Sequence, residues 1–147
     1  MAVFTSLNEL QLHLNTKIWE AMNGSVAQYI KDTLSESAQN VVYDSYSPVR
    51  YHRRGELKRQ GNYYTEWEQF GNGGELYVAP IVESSPSVIH HGVSNELVRW
   101  VAEGAVPNIF NDLSYPWMGA RNFVDDAKDV IKSSGVVQNK LKKAICG

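Results

Sequence analysis

Between residues 7 and 42, apolar side chains recur at three- and four-residue steps. They fall at Leu7, Leu10, Leu14, Ile18 and Met22, then at Val26, Tyr29 or Ile30, Leu34, and Val41 or Val42. This spacing lines one side of a helix. Thr5 or Ser6 is placed to cap it, with Glu9 three residues after Ser6 as in a capping box. The stripe keeps its phase across Asn23-Gly24, so the pattern predicts one kinked helix or two helices meeting there. Glycine inside a helix costs about 1 kcal/mol relative to alanine. The stop falls at Ser45–Pro48, because a proline disfavours helix at the residue before it.

The period then changes. In Asn62–Phe70, Tyr64, Glu66, Glu68 and Phe70 alternate with Tyr63, Thr65, Trp67 and Gln69. Glu75–Val82 is a second strand-like run, and Gly71-Asn72-Gly73-Gly74 lies between the two, which predicts a β-hairpin. Pro80 belongs on an edge or at a bulge. Ser94 is placed to cap a short helix, Asn95–Glu103, with Leu97, Trp100 and Val101 on one face and Gly104 as its stop. Val106–Pro116 reads as a loop. Ala120, Phe123, Val124, Ala127, Val130 and Ile131 mark a terminal amphipathic helix. Gly135 interrupts it, and Val137, Leu141, Ala144 and Ile145 can extend its stripe.

The expected fold class is α+β: a long N-terminal helix, a central antiparallel β-hairpin or small sheet, a short helix and a C-terminal amphipathic helix. A two-stranded hairpin is marginal alone. It needs helices, a further strand such as Glu56–Arg59, or a neighbouring subunit. One domain, residues 1–147, is expected.

Composition narrows the class. The hydrophobic fraction is 43% and the charged fraction 20%, values that suit a packed core. The net charge of −2 argues against a whole surface built for nucleic acid, while leaving room for a local basic patch. Cys146 is the single cysteine, so no intramolecular disulfide or cysteine zinc site can form. The N-terminus lacks a signal-peptide pattern. No apolar run approaches the roughly 20 residues of a membrane helix. A soluble, cytoplasmically made protein with no membrane partner is expected.

Catalytic chemistry finds little purchase. His90 and His91 are adjacent, so their side chains diverge, and neither His13 nor His52 joins them at a metal-ligand spacing. Asp125, Asp126 and Asp129 complement a helix N-terminus; a two-metal nuclease is the alternative use of such carboxylates. There is no nucleophile elbow and no phosphate loop. No catalytic residue, metal or cofactor is assigned.

The basic cluster is more informative. Arg50, Arg53, Arg54, Lys58 and Arg59 fall within ten positions, beside Tyr46, Tyr51 and His52. Such interleaving suits phosphates and bases, but a subunit interface, where arginine and tyrosine are also enriched, is the favoured reading. The aromatic residues Tyr63, Trp67, Tyr77 and Trp117 join the interface candidates. Plain core filling is the competing role for Trp19, Trp67 and Trp100, expected for at least two of the three.

Two local patterns carry a resemblance. Val42-Tyr-Asp-Ser-Tyr-Ser-Pro-Val-Arg-Tyr-His-Arg-Arg-Gly55 resembles a V-Y-x-x-Y-x-P-x-x-Y-x-R-R-G pattern of structural proteins from the head–tail gene region of tailed bacteriophages. Tyr115-Pro-Trp-Met-Gly-Ala-Arg-Asn-Phe-Val124 is similar to the approach to the last helix in phage minor-capsid, head–tail connector and tail-completion proteins, with Asn122 where proline is usual. The patterns cover about 25 of the 147 residues, while the element order spans the chain. The resemblance implies a non-enzymatic virion protein at the neck or tail end. It would be assembled in the host cytoplasm as a homo-oligomeric ring of roughly six or twelve copies. Its partners would be a connector or tail tube, with non-specific DNA contact in the channel. The alternatives are a nucleic-acid-binding accessory protein using residues 50–59, or a small metal-dependent nuclease using Asp125, Asp126 and His90.

Overall fold

The computed structural model describes residues 3–45, 55–71, 73–81, 95–103 and 122–147. Helix α1 (Leu7–Ala21) starts where Ser6 is extended and its hydroxyl accepts from the Glu9 amide at 3.2 Å. The Glu9 carboxylate reaches back to the amide and hydroxyl of Thr5, at 2.8 and 2.7 Å. Those bonds hold its pKa below the ordinary value. The box is thus split, with Ser6 capping and Thr5 receiving Glu9.

Asn23-Gly24 neither breaks nor separates the helix. A π-helical turn, Met22–Val26, carries α1 into α2 (Ala27–Ser37), and a second one, Ala38–Tyr43, ends the rod. The widened turns keep a buried stripe, Ala21, Met22, Val26, Ala27, Leu34, Ala38 and Val42, on one side. The backbone stays helical at each junction. At about 1.5 Å per residue the rod is roughly 50 Å long.

The C-terminal part lies along this rod. Helix α4 (Phe123–Ser134) packs on α2 and the second π turn, and α5 (Val136–Cys146) on α1 and the first. The order of these contacts makes the two segments antiparallel. The interruption expected at Gly135 separates two helices, because Gly135 takes φ +67°, a conformation that ends a helix and suits glycine. Asn122 caps α4, its side chain accepting from the Asp125 amide at 3.1 Å and donating to the Asp125 carboxylate at 2.6 Å. The Tyr29 and Ser134 hydroxyls, 2.7 Å apart, join the far end of α4 to α2.

The core gathers where α2, α4 and the start of the hairpin meet: Leu34, Ala38, Val42, Leu57, Tyr63, Phe123 and Ala127, with Phe123 fully enclosed. Val98 and Val101 of α3 (Asn95–Glu103) pack against it. Burying Leu34, Val42, Leu57 and Phe123 contributes roughly 1.5–3 kcal/mol each.

Two sequence expectations need correction. Glu56–Arg59 is no third strand: Glu56–Lys58 is a 3₁₀ turn, followed by another at Gln60–Asn62. Leu57 drives this shape by turning inward, while Gly55 takes φ +70° and its carbonyl accepts from Lys58. Trp19 is 55% exposed beside Ile18 of the stripe, so the expectation that two of the three tryptophans fill the core falls to Trp67 and Trp100. Leu7, also in the predicted stripe, is 83% exposed, since it lies one turn before the half-buried Leu10, where the covered side of α1 begins. The Trp100 side chain, Ser94, Gly104 and the predicted 106–116 loop lie outside the described residues.

Candidate subunit interface

The hairpin pairs β1 (Tyr63–Phe70) with β2 (Gly73–Pro80) antiparallel, from Tyr63 opposite Pro80 to Phe70 opposite Gly73. The second strand begins two residues before the predicted Glu75, so Gly73 and Gly74 join the ladder. Gly71 opens the turn at φ +57°. Among the described residues no third strand pairs with either edge. Among the described residues, both edges therefore keep backbone donors and acceptors that another strand could pair.

Strand alternation gives the hairpin two unlike faces. The inner face carries Tyr63, Thr65, Trp67, Leu76, Val78 and Pro80 toward the helices. Tyr63 is buried. Its hydroxyl donates to the Leu57 carbonyl at 2.8 Å, and Tyr43 accepts from the Leu57 amide at 3.2 Å. Burial first, and Tyr43 second, push its phenol well above the ordinary tyrosine range. Tyr63 is thus core, spent within the chain. Trp67 lies over Gly74, filling the space a side chain there would take. An aromatic ring sheltering a strand glycine in this way supports the ladder. The Trp67 Nε1 is buried and finds no hydrogen-bond partner among the described residues.

The outer face is different. It carries Tyr64, Glu66, Glu68, Phe70, Glu75 and Tyr77, all exposed. The three aromatic rings are 41%, 54% and 45% exposed for Tyr64, Phe70 and Tyr77. Glu68 stands directly opposite Glu75, a like-charge pairing that disfavours the hairpin in isolation. Tyr77 donates to the Glu75 carboxylate at 2.6 Å. That bond, reinforced by the negative charge of Glu75 and Glu68, raises its pKa. Residues 60–81 hold these three glutamates and no lysine or arginine.

Only part of the basic cluster falls in the described region. Lys58 is exposed, yet its ammonium donates to Gln39 at 2.6 Å and sits 5.5 Å from the Tyr43 ring. It fastens the 3₁₀ turn to the end of the rod, as does Ser35, which donates to the Lys58 carbonyl at 2.7 Å. Arg59 is exposed and also engaged. Arg50, Tyr51, Arg53, Arg54 and Trp117 lie outside the described residues, as do His52, His90 and His91. Of the described candidates, Tyr77 alone stands on the exposed hairpin face, while Trp67 and Tyr63 face inward. Tyr64, Glu66, Glu68, Phe70 and Glu75 escaped the candidate list; their common strand parity was the signal for them.

Metal chemistry finds no cluster here. Among the described residues no group of three or more His, Cys, Asp and Glu side chains is arranged to hold an ion. Asp125 is paired with Lys128 at 3.6 Å, and His13 stacks near Phe4 with ring centres 5.0 Å apart. No helix among the described residues is long and apolar enough to cross a membrane.

The family model of YomN matches residues 6–146, nearly the whole chain. The chain belongs to the YomN family. YomN proteins are phage-associated, which agrees with the origin implied by the 42–55 and 115–124 patterns. No curated protein and no solved structure matches the chain. The YomN match spans the helical rod, the hairpin and the α4–α5 pair together.

Proposed function

We propose that this phage-associated chain is a non-enzymatic virion structural protein of the neck or tail-completion type. It acts as a subunit of a homo-oligomeric ring at the head–tail junction. The observation that supports this reading is the hairpin. It offers two edges that no further strand pairs among the described residues, and an exposed aromatic face, on a strand pair too small to be stable by itself. Exposed edges and aromatic patches of this kind are what a neighbouring chain completes. A head-to-tail ring needs two different surfaces on each copy, and the hairpin supplies one of them. Its anionic face is repelled by phosphate, so the hairpin belongs against protein, and any DNA contact falls to the basic segment 50–59.

The test is genetic and visual. Deleting the gene from the producing phage, followed by electron microscopy of the lysate, is expected to leave heads and tails unjoined, with joining restored by the gene supplied in trans. A normal yield of intact, infective particles without the gene would overturn the reading. Salt-dependent DNA binding by a chain that is missing from particles would point to the accessory role instead.

A further inference from the structure

Charge is divided unevenly between two exposed surfaces of this molecule. The outer hairpin face carries Glu66, Glu68 and Glu75 without a cation. Helix α5 carries Lys140, Lys142 and Lys143 without a carboxylate. Every other described α-helix contains at least one acidic residue. Lys142 and Lys143 are exposed beside Ile145, which is 41% exposed, on the side of α5 turned away from α1. Among the described residues none of these three lysines, nor Glu66 or Glu68, has an ion-pair partner. Lys17 and Lys128, by contrast, are paired with Glu20 and Asp125 on their own helices. Lys58 is held by Gln39 and Tyr43.

We propose that the outer face of the hairpin docks on the lysine face of α5 in a second copy of the chain. The inference rests on the ring reading above and names its contact surfaces. Lysine ammonium groups would neutralise the opposed Glu68 and Glu75, removing a repulsion the single chain leaves in place. Their aliphatic stems and Ile145 would cover Tyr64, Phe70 and Tyr77, whose rings also attract cations. The two surfaces differ, so each copy gives one and receives the other. That is the heterologous geometry which closes into a ring when the rotation permits.

Two variants test this, each checked for native helix content by circular dichroism. One carries Glu66→Lys, Glu68→Lys and Glu75→Lys; the other carries Lys142→Glu and Lys143→Glu. In sedimentation velocity of the full chain, the wild type is expected to self-associate, more weakly as salt rises. Each variant alone is expected to associate about tenfold or more weakly. An equimolar mixture should recover association, because each reversed surface then meets its complement. Oligomers indifferent to both reversals, or a mixture no better than its components, would overturn this interface while leaving the ring reading intact. A wild type that stays monomeric throughout would also overturn it. So would lysine-dependent binding of short DNA with self-association unchanged in Lys142→Glu/Lys143→Glu. The ring reading itself fails separately, on the particle phenotype.

Discussion

Gly74 sits where the hairpin is tightest. A Cβ added there would stand 2.4 Å from Trp67 Cζ2, 2.5 Å from its Cη2 and 2.6 Å from the Glu68 carbonyl oxygen. Non-bonded carbons settle at about 3.5–4.0 Å, so alanine forces both neighbours to move. The indole can swing outward, but the carbonyl is part of the strand ladder. Overpacking of this kind costs about 1–3 kcal/mol. Taking about 2 kcal/mol, Gly74→Ala should shift the hairpin's opening equilibrium about 30-fold, since about 1.4 kcal/mol is a factor of ten. Gly73 is the matched control. Nothing lies within 4 Å of a Cβ there, and alanine in a strand gains roughly 0.5–1 kcal/mol over glycine. Native-state hydrogen exchange of the full chain reads both. Protection of β1 and β2 amides should fall in Gly74→Ala and hold or rise in Gly73→Ala, with α2 and α4 unchanged. Wild-type protection in Gly74→Ala, or an equal loss in both, would refute the packing account.

Three further outcomes are expected. Phe123→Ala removes the one large ring that is completely enclosed among the described residues and should destabilise the chain by about 3–5 kcal/mol in urea unfolding. Gly135→Ala puts a side chain at φ +67° and should cost about 1 kcal/mol, seen as a lowered melting temperature. Tyr63 gives an alkaline signature. Its folded pKa is raised above the ordinary 10.0, so its contribution is full below pH 10 and fades as pH climbs through the folded value. Wild-type stability should therefore decline above pH 10. Tyr63→Phe should flatten that decline while losing about 1 kcal/mol at neutral pH, from the Leu57 bond.

Much of this architecture could be read from local pattern. The Leu10–Leu14–Ile18 repeat, the Gly71 turn and the bounds of Asn95–Glu103 are short-range signals, and the structure contains all of them. The failures share one cause: they depend on which surface a distant segment covers. Trp19 and Ile18 are adjacent, and local pattern alone cannot decide that Ile18 is half-buried and Trp19 exposed. Leu57 sits in a run of polar residues, yet it becomes core because Tyr43 and Tyr63 close around its backbone. Lys58 looked like a free cation in a basic cluster, while the Gln39 side chain that holds it comes from the end of the helical rod. The acidic hairpin face was legible in principle, since Glu66 and Glu68 share strand parity. Its partner Glu75 joined it only through the register, which the two-residue turn at Gly71 sets.

If the chain is a ring subunit of the particle, its copies in the virion must be few and fixed. Quantitative mass spectrometry of purified virions, calibrated against the major head protein, measures this directly. The account predicts one ring's worth per particle, roughly six or twelve copies, unchanged by high-salt washing. Complete absence from purified particles, with the chain left among the soluble proteins of the lysate, would contradict it.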